Sequence, residues 1–190
     1  PRSRGLGDVY KRQKIIDGNY TAVVASAAAA AQYTMPPQAL KERSFKISSG
    51  DEIDLDDMAT RLVKAGYSRF DQVDGTSQFS IRGGLLDIFP PGADDPVRIE
   101  LWGDTVDSIT KFDIATQRRT DMVNSVEIIP STEVLFNSRE EQAKKIDTLA
   151  AGLKGKATKA REKLYKDSDR LKQGINLRCN DKYLPLAYDS

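Results

Sequence analysis

Apolar and polar positions along this chain follow a helical rhythm, then an alternating one, then a helical one again. Leu55, Met58, Leu62 and Val63 fall at i, i+3, i+7 and i+8, one face of a helix. Asp54 can cap that helix, Asp56 and Asp57 sit where the positive end of its dipole favours them, and Gly66 follows its last turn. From Arg69 to about Asp113 the period drops to two. Phe79 and Ile81 alternate with Ser80 and Arg82, and Val97, Ile99 and Leu101 alternate with Arg98, Glu100 and Trp102. Asp74-Gly75, the corner Pro90-Pro91-Gly92 and Gly103-Asp104 separate the runs as turns. The pattern predicts an antiparallel meander of about four or five short strands with one face on the 54–66 helix, an α+β arrangement of one sheet and one helical layer.

The flanks are shorter-range. Thr21–Ala25 reads as a buried strand, followed by a small-residue helix from Ser26 that the pair Pro36-Pro37 ends. Ser44–Ile47 reads as a strand before a turn at Ser49-Gly50, and Asn124–Ile129 as a strand stopped by Pro130. Ser138 with Glu141 forms a capping box, and Ile146, Leu149, Ala150 and Leu153 continue it as a helical stripe. Residues 1–13 show neither periodicity nor a cap, and are read as a non-native leader on a piece of a longer protein. The expected divisions are 1–13, 14–50, 51–125 and 126–190.

Composition narrows the chemistry. There is no histidine and a single cysteine, Cys179, so neither an internal disulfide nor a Ser-His-Asp, Cys-His or ordinary zinc site can form. The lone thiol reads as a bland, partly buried residue. No apolar run approaches the roughly 20 residues that cross a bilayer, and the expected setting is the cytoplasm, with no membrane partner. The net charge is only +1, yet residues 154–172 gather eight basic against three acidic side chains. That segment is either a solvated helix face or a DNA contact.

One block is far more specific. Arg82-Gly-Gly-Leu-Leu-Asp-Ile-Phe-Pro-Pro-Gly92, followed by Val97-Arg-Ile-Glu-Leu-Trp-Gly-Asp104, resembles the UvrA-contacting module shared by UvrB and the bacterial transcription-repair coupling factors, the Mfd family. Leu62-Val63 to Gly66-Tyr67, Asp71-Gln-Val73, Val106–Ile109 and Phe112–Arg118 agree with it, and Tyr183–Tyr188 resembles a later coupling-factor segment. Gly84, the stretch Ser131–Phe136 and the ending Gln117-Arg118 place the resemblance on the coupling-factor side. It implies a UvrB interaction domain at 51–125, flanked by remnants of an α/β UvrB-like domain. The implied function is docking UvrA, so as to bring nucleotide excision repair to a stalled RNA polymerase. A translocase motor with its ATP, magnesium and double-stranded DNA would lie elsewhere in the longer protein. No Gly-x-x-x-x-Gly-Lys-Ser/Thr sequence occurs here to cradle phosphates, so neither an enzyme activity nor a cofactor is expected of this segment.

Alternation places the candidate contacts independently. If Val97, Ile99 and Leu101 face the core, then Arg98, Glu100 and Trp102 face out, and Arg82 does so with Ser80. Were those strands neighbours, two arginines and a tryptophan would share one patch, the residue types most enriched among interface hot spots. The resemblance implies UvrA contact at Arg82, Arg98 and Trp102, where Trp102 stands in a place commonly held by phenylalanine. The competing reading covers Trp102 with another part of the protein and makes Arg98 and Glu100 an exposed ion pair. Asp87 reads as a salt-bridged or turn aspartate, and Gly83-Gly84 as a bulge or a close backbone approach. The alternatives in function are a UvrB-type repair subunit and a DNA-binding module using residues 154–172.

Overall fold

The computed structural model describes residues 6–18, 20–136, 138–154, 157–175, 177 and 180–188. Helices α1 (Leu6–Ile16), α2 (Ala27–Ala30) and α3 (Pro37–Arg43) precede strand β1 (Phe45–Ser48) and helix α4 (Leu55–Lys64). Strands β2 (Ser68–Arg69), β3 (Gln78–Arg82), β4 (Leu85–Ile88), β5 (Val97–Trp102), β6 (Thr105–Phe112), β7 (Arg119–Met122) and β8 (Ser125–Ile128) follow. Helices α5 (Arg139–Gly152) and α6 (Thr158–Lys172), a 3-10 turn at Asp181–Tyr183 and α7 (Leu184–Ala187) complete the order. The class is α+β. Contacts divide the chain into two compact units, one of α1 with residues 36–132 and one of residues 26–35 with 133–188.

The larger unit is a six-stranded sheet in the order β2-β3-β4-β5-β6-β7, with β1 and β8 as a separate antiparallel pair. From β3 to β7 each strand pairs antiparallel with the next, as the turn signals predict, whereas edge strand β2 runs parallel to β3. Helix α4 forms where its sequence directs: the Asp54 carboxylate accepts from the Asp56 and Asp57 amides at 2.9 and 2.8 Å. Its Met58 and Leu62 are buried in one cluster with Phe79, Leu86, Ile88, Val97, Ile99 and Ile109 of the sheet. Side chains of this kind contribute about 1.5–3 kcal/mol each when fully buried, and this cluster is the main source of cohesion. Val63, predicted on the same face, is exposed instead, while Leu55 and Ala59 pack partly buried beside Met58 and Leu62. Tyr67 extends the core beyond the helix. Its hydroxyl donates to the Ile129 carbonyl at 2.8 Å, and burial pushes the phenol pKa up.

Three local expectations change. Thr21–Ala25 is exposed and not a strand; a strand requires a partner, and this segment has none among the described residues. Pro37 opens α3 rather than closing the alanine helix, since the first helical position needs no amide donor. Over Leu6–Ile16, where no element is expected, there is a helix, and Gln13 on it donates to Glu127 at 3.2 Å.

In the smaller unit, Ser138 Oγ accepts from the Glu141 amide at 3.1 Å and starts α5, as the capping box predicts. Ala143 and Ile146 of α5 pack with Leu171, Tyr183, Leu184 and Val134, while Leu149 of the predicted stripe stays exposed. The Asp167 carboxylate accepts from Lys182 and from the Tyr183 hydroxyl, tying α6 to the C-terminal turn. No described helix is long and apolar enough to cross a membrane. Cys179 and Lys156, both singled out in the sequence, lie outside the described residues.

Candidate docking site

The face of the sheet opposite α4 is where the candidate residues converge, and its layout begins with strand order. Strands β3 and β5 are not neighbours, because β4 lies between them. Its residue Asp87 stands opposite both Ser80 on β3 and Arg98 on β5. Directly paired residues point to the same face, so Ser80, Asp87 and Arg98 form one row, and Arg82, Leu85 and Glu100 form the next.

Asp87 is the centre of the arrangement, with only 1% of its side chain exposed. One oxygen accepts from Arg98 Nε at 2.8 Å, and the other accepts from Arg98 Nη2 at 2.9 Å and from Arg82 Nη2 at 2.7 Å. One carboxylate therefore holds two guanidinium groups, bidentate to Arg98 and single to Arg82, the fork geometry for which arginine is suited and lysine is not. The hydrogen bond to Asp87 raises the Arg98 pKa, against a smaller opposing effect of desolvation.

Arg98 is accordingly a covered residue. Its side chain is 12% exposed, its guanidinium lies 4.8 Å from the centroid of the Phe112 ring, and its Nη1 donates to the Gln117 carbonyl at 3.4 Å. Gln117 reaches that position with φ +60, and its side-chain amide donates to the Ile114 and Val73 carbonyls. Phe112 is fully buried with Val73 and Phe89 in a small second cluster. The expectation that Arg98 faces water is corrected. Alternation puts it on the outer face, but the 112–118 turn and the Val73 segment roof that part of the sheet. Ser80 is buried for a related reason, its hydroxyl donating to the Asp71 carbonyl at 2.8 Å. The Arg98–Glu100 ion pair of the competing reading does not form; Glu100 pairs instead with Arg119 of β7.

Arg82 and Trp102 remain open. The Arg82 side chain is 47% exposed, and Trp102 is 85% exposed at the tip of the β5–β6 hairpin. The β3–β4 hairpin ends at the same edge. Gly83 turns it with φ +60, and a Cβ on Gly84 would lie 3.1 Å from the Leu101 carbonyl oxygen. The Leu101 amide donates to the Gly84 carbonyl at 2.8 Å. The two glycines thus mark a close backbone approach that brings both hairpin tips together, and a bulge at Glu100/Leu101 accommodates it. Phe70, an exposed aromatic, lies with Arg69, Asp71 and Ile81 around a recess beside Arg82. The alternation does not single it out, and the one signal in the sequence is an aromatic flanked by the charged residues Arg69 and Asp71, just after the short strand β2.

Residues 45–134 match the model of the UvrB interaction domain. That segment is a UvrB interaction domain. The UvrB interaction domain so defined takes in β1 and β8, the strand pair that the 51–125 division leaves to its flanks. A transcription-repair-coupling factor of Bacillus subtilis is 38% identical over 184 residues, covering 93% of this chain and 16% of its own length. One from Myxococcus xanthus is 33% identical over 156 residues, 82% of this chain and 13% of that protein. One from Mycobacterium bovis is 40% identical over 106 residues, 56% of this chain and 8% of that protein. The chain therefore spans about a sixth or less of the relatives it matches. Their shared name agrees with the coupling-factor side of the resemblance and does not favour a UvrB subunit. The DNA-contact alternative is not favoured either: Lys172 of α6 donates to Asp147 at 2.8 Å, and acidic Glu162 and Asp169 accompany the exposed lysines of that helix.

Proposed function

We propose that this UvrB interaction domain docks UvrA, as part of a longer coupling-factor protein that brings nucleotide excision repair to a stalled RNA polymerase. The observation that carries the reading is Trp102, 85% exposed at the hairpin tip beside a half-exposed Arg82. A monomeric domain gains nothing by holding an indole in water, whereas a partner that covers it gains a large rigid contact at low entropic cost. Arg82 supplies a cation that can meet a carboxylate on UvrA. Arg98 belongs to the same site as the layer directly beneath.

The remaining features of the longer protein follow the same reading: a cytoplasmic setting, double-stranded DNA as a second partner, and an ATP- and magnesium-dependent translocase in segments beyond these residues. Calorimetric titration of UvrA with this chain tests the docking. Trp102→Ala and Arg82→Ala are each expected to weaken binding by about 2 kcal/mol, or about thirtyfold, with an unchanged circular dichroism spectrum. Unaltered affinity in the folded double variant excludes this surface as the contact.

A further inference from the structure

We infer that Asp87 is a positioning residue for docking: its buried carboxylate fixes the plane of the Arg82 guanidinium so that the remaining edge of that group presents a preset fork to a carboxylate of the partner. The inference rests on the docking reading above and assigns to Asp87 a role that docking alone does not.

Three observations carry it. First, Asp87 is 1% exposed and lies on β4, a central strand paired on both sides, so its backbone is held by ladders to β3 and β5. Such a carboxylate is a rigid anchor. Second, that anchor is itself locked by Arg98, which binds both of its oxygens, stacks on Phe112 and donates to Gln117. Arg98 neutralises Asp87 and prevents it from rotating. The third observation concerns Arg82, which gives Asp87 only Nη2, at 2.7 Å, while nearly half of its side chain stays in water.

An exposed arginine is ordinarily mobile over several rotatable bonds, and ordering it on binding costs affinity. Anchored at one nitrogen from behind, Arg82 has already lost that freedom in the unbound domain. Its other nitrogens have no protein partner among the described residues. The charges of the three groups sum to one positive charge, so the cluster attracts an acid rather than being satisfied internally. The partner chemistry this selects is a carboxylate within reach of an apolar cleft for Trp102. A buried ion pair is often no more stabilising than an apolar replacement, so stability alone gives a weak account of this arrangement. Placement of Arg82 gives a direct one.

The test is a double-mutant cycle with purified UvrA, titrating the full chain carrying Asp87→Asn, Arg82→Ala, or both, each checked for folding by thermal melting. Asp87→Asn is expected to lower UvrA affinity about tenfold with Arg82 present and less than about twofold once Arg82 is alanine. Equal losses in both backgrounds, or no loss in either, overturn the inference, because a merely structural role does not depend on Arg82. If Arg82→Ala leaves affinity unchanged while Trp102→Ala weakens it, this inference fails and the docking reading stands; if the folded Trp102→Ala, Arg82→Ala double variant also binds unchanged, the docking reading itself fails. Should Asp87→Asn not fold, nitrogen-15 spectra of the unaltered chain decide. Separate, slowly exchanging Arg82 guanidinium signals support the anchor, and a single averaged signal overturns it.

Discussion

On one face of the six-stranded sheet, Phe79, Leu86 and Ile99 meet Met58 and Leu62 of α4 in a dry apolar cluster. On the other face of the same strands, Asp87 and Arg98 meet each other, and Arg82 and Trp102 meet water. The first face obtains cohesion from area, which is non-directional and tolerates volume-conserving exchange. The second obtains placement from charge and hydrogen bonds, which are directional and punish the loss of either partner. The difference explains how one domain can be firmly folded and still offer a polar, partly solvated surface. Stability and recognition are assigned to opposite sides of a single sheet.

Substitutions can break or sharpen that contrast. The largest effect is expected on the dry face: Phe79→Ala removes a fully buried ring and should destabilise the domain by about 4 kcal/mol in urea unfolding. Asp87→Ala comes next. It leaves the Arg98 guanidinium covered and uncompensated, at a cost of about 3 kcal/mol, and Arg98→Met in the same chain should recover much of the loss. Failure of that rescue would show that Asp87 does more for the fold than balance a charge. Gly84→Ala pushes a methyl group against the Leu101 carbonyl and is expected to cost about 1.5 kcal/mol, read as a lowered melting temperature. Smallest is Trp102→Ala, which should shift unfolding by less than about 0.5 kcal/mol although it deletes the bulkiest side chain in the protein. A large destabilisation there would mean that the indole is covered in solution, and the distinction between the faces would collapse.

Much of the dry face was legible from the order of residues. Alternation at 79–81 and 97–101 identifies which aliphatics turn inward, and the cap at Asp54 fixes where α4 starts. These signals are local: each depends on residues within a few positions of one another. Partner choice on the polar face is not local. Asp87 joins residues five positions before it and eleven after it, and nothing in the alternation of β5 reveals that the 112–118 turn will cover Arg98. Strand order was a second unknown, since β4 between β3 and β5 sets Asp87 between the two arginines, while the 112–118 turn covers one of them. Tyr67, whose hydroxyl reaches a carbonyl 62 residues away, was illegible for the same reason, as was the helix at Leu6–Ile16.

The sequence by itself determined the periods, the caps, the turns and the outward aspect of Trp102, because each follows from backbone geometry over a few residues. Only the tertiary structure decided which outward residues stay in water and which are taken up by Asp87. Exposure and ion pairing depend on distances across strands, and those distances exist only once the sheet has closed in its particular order.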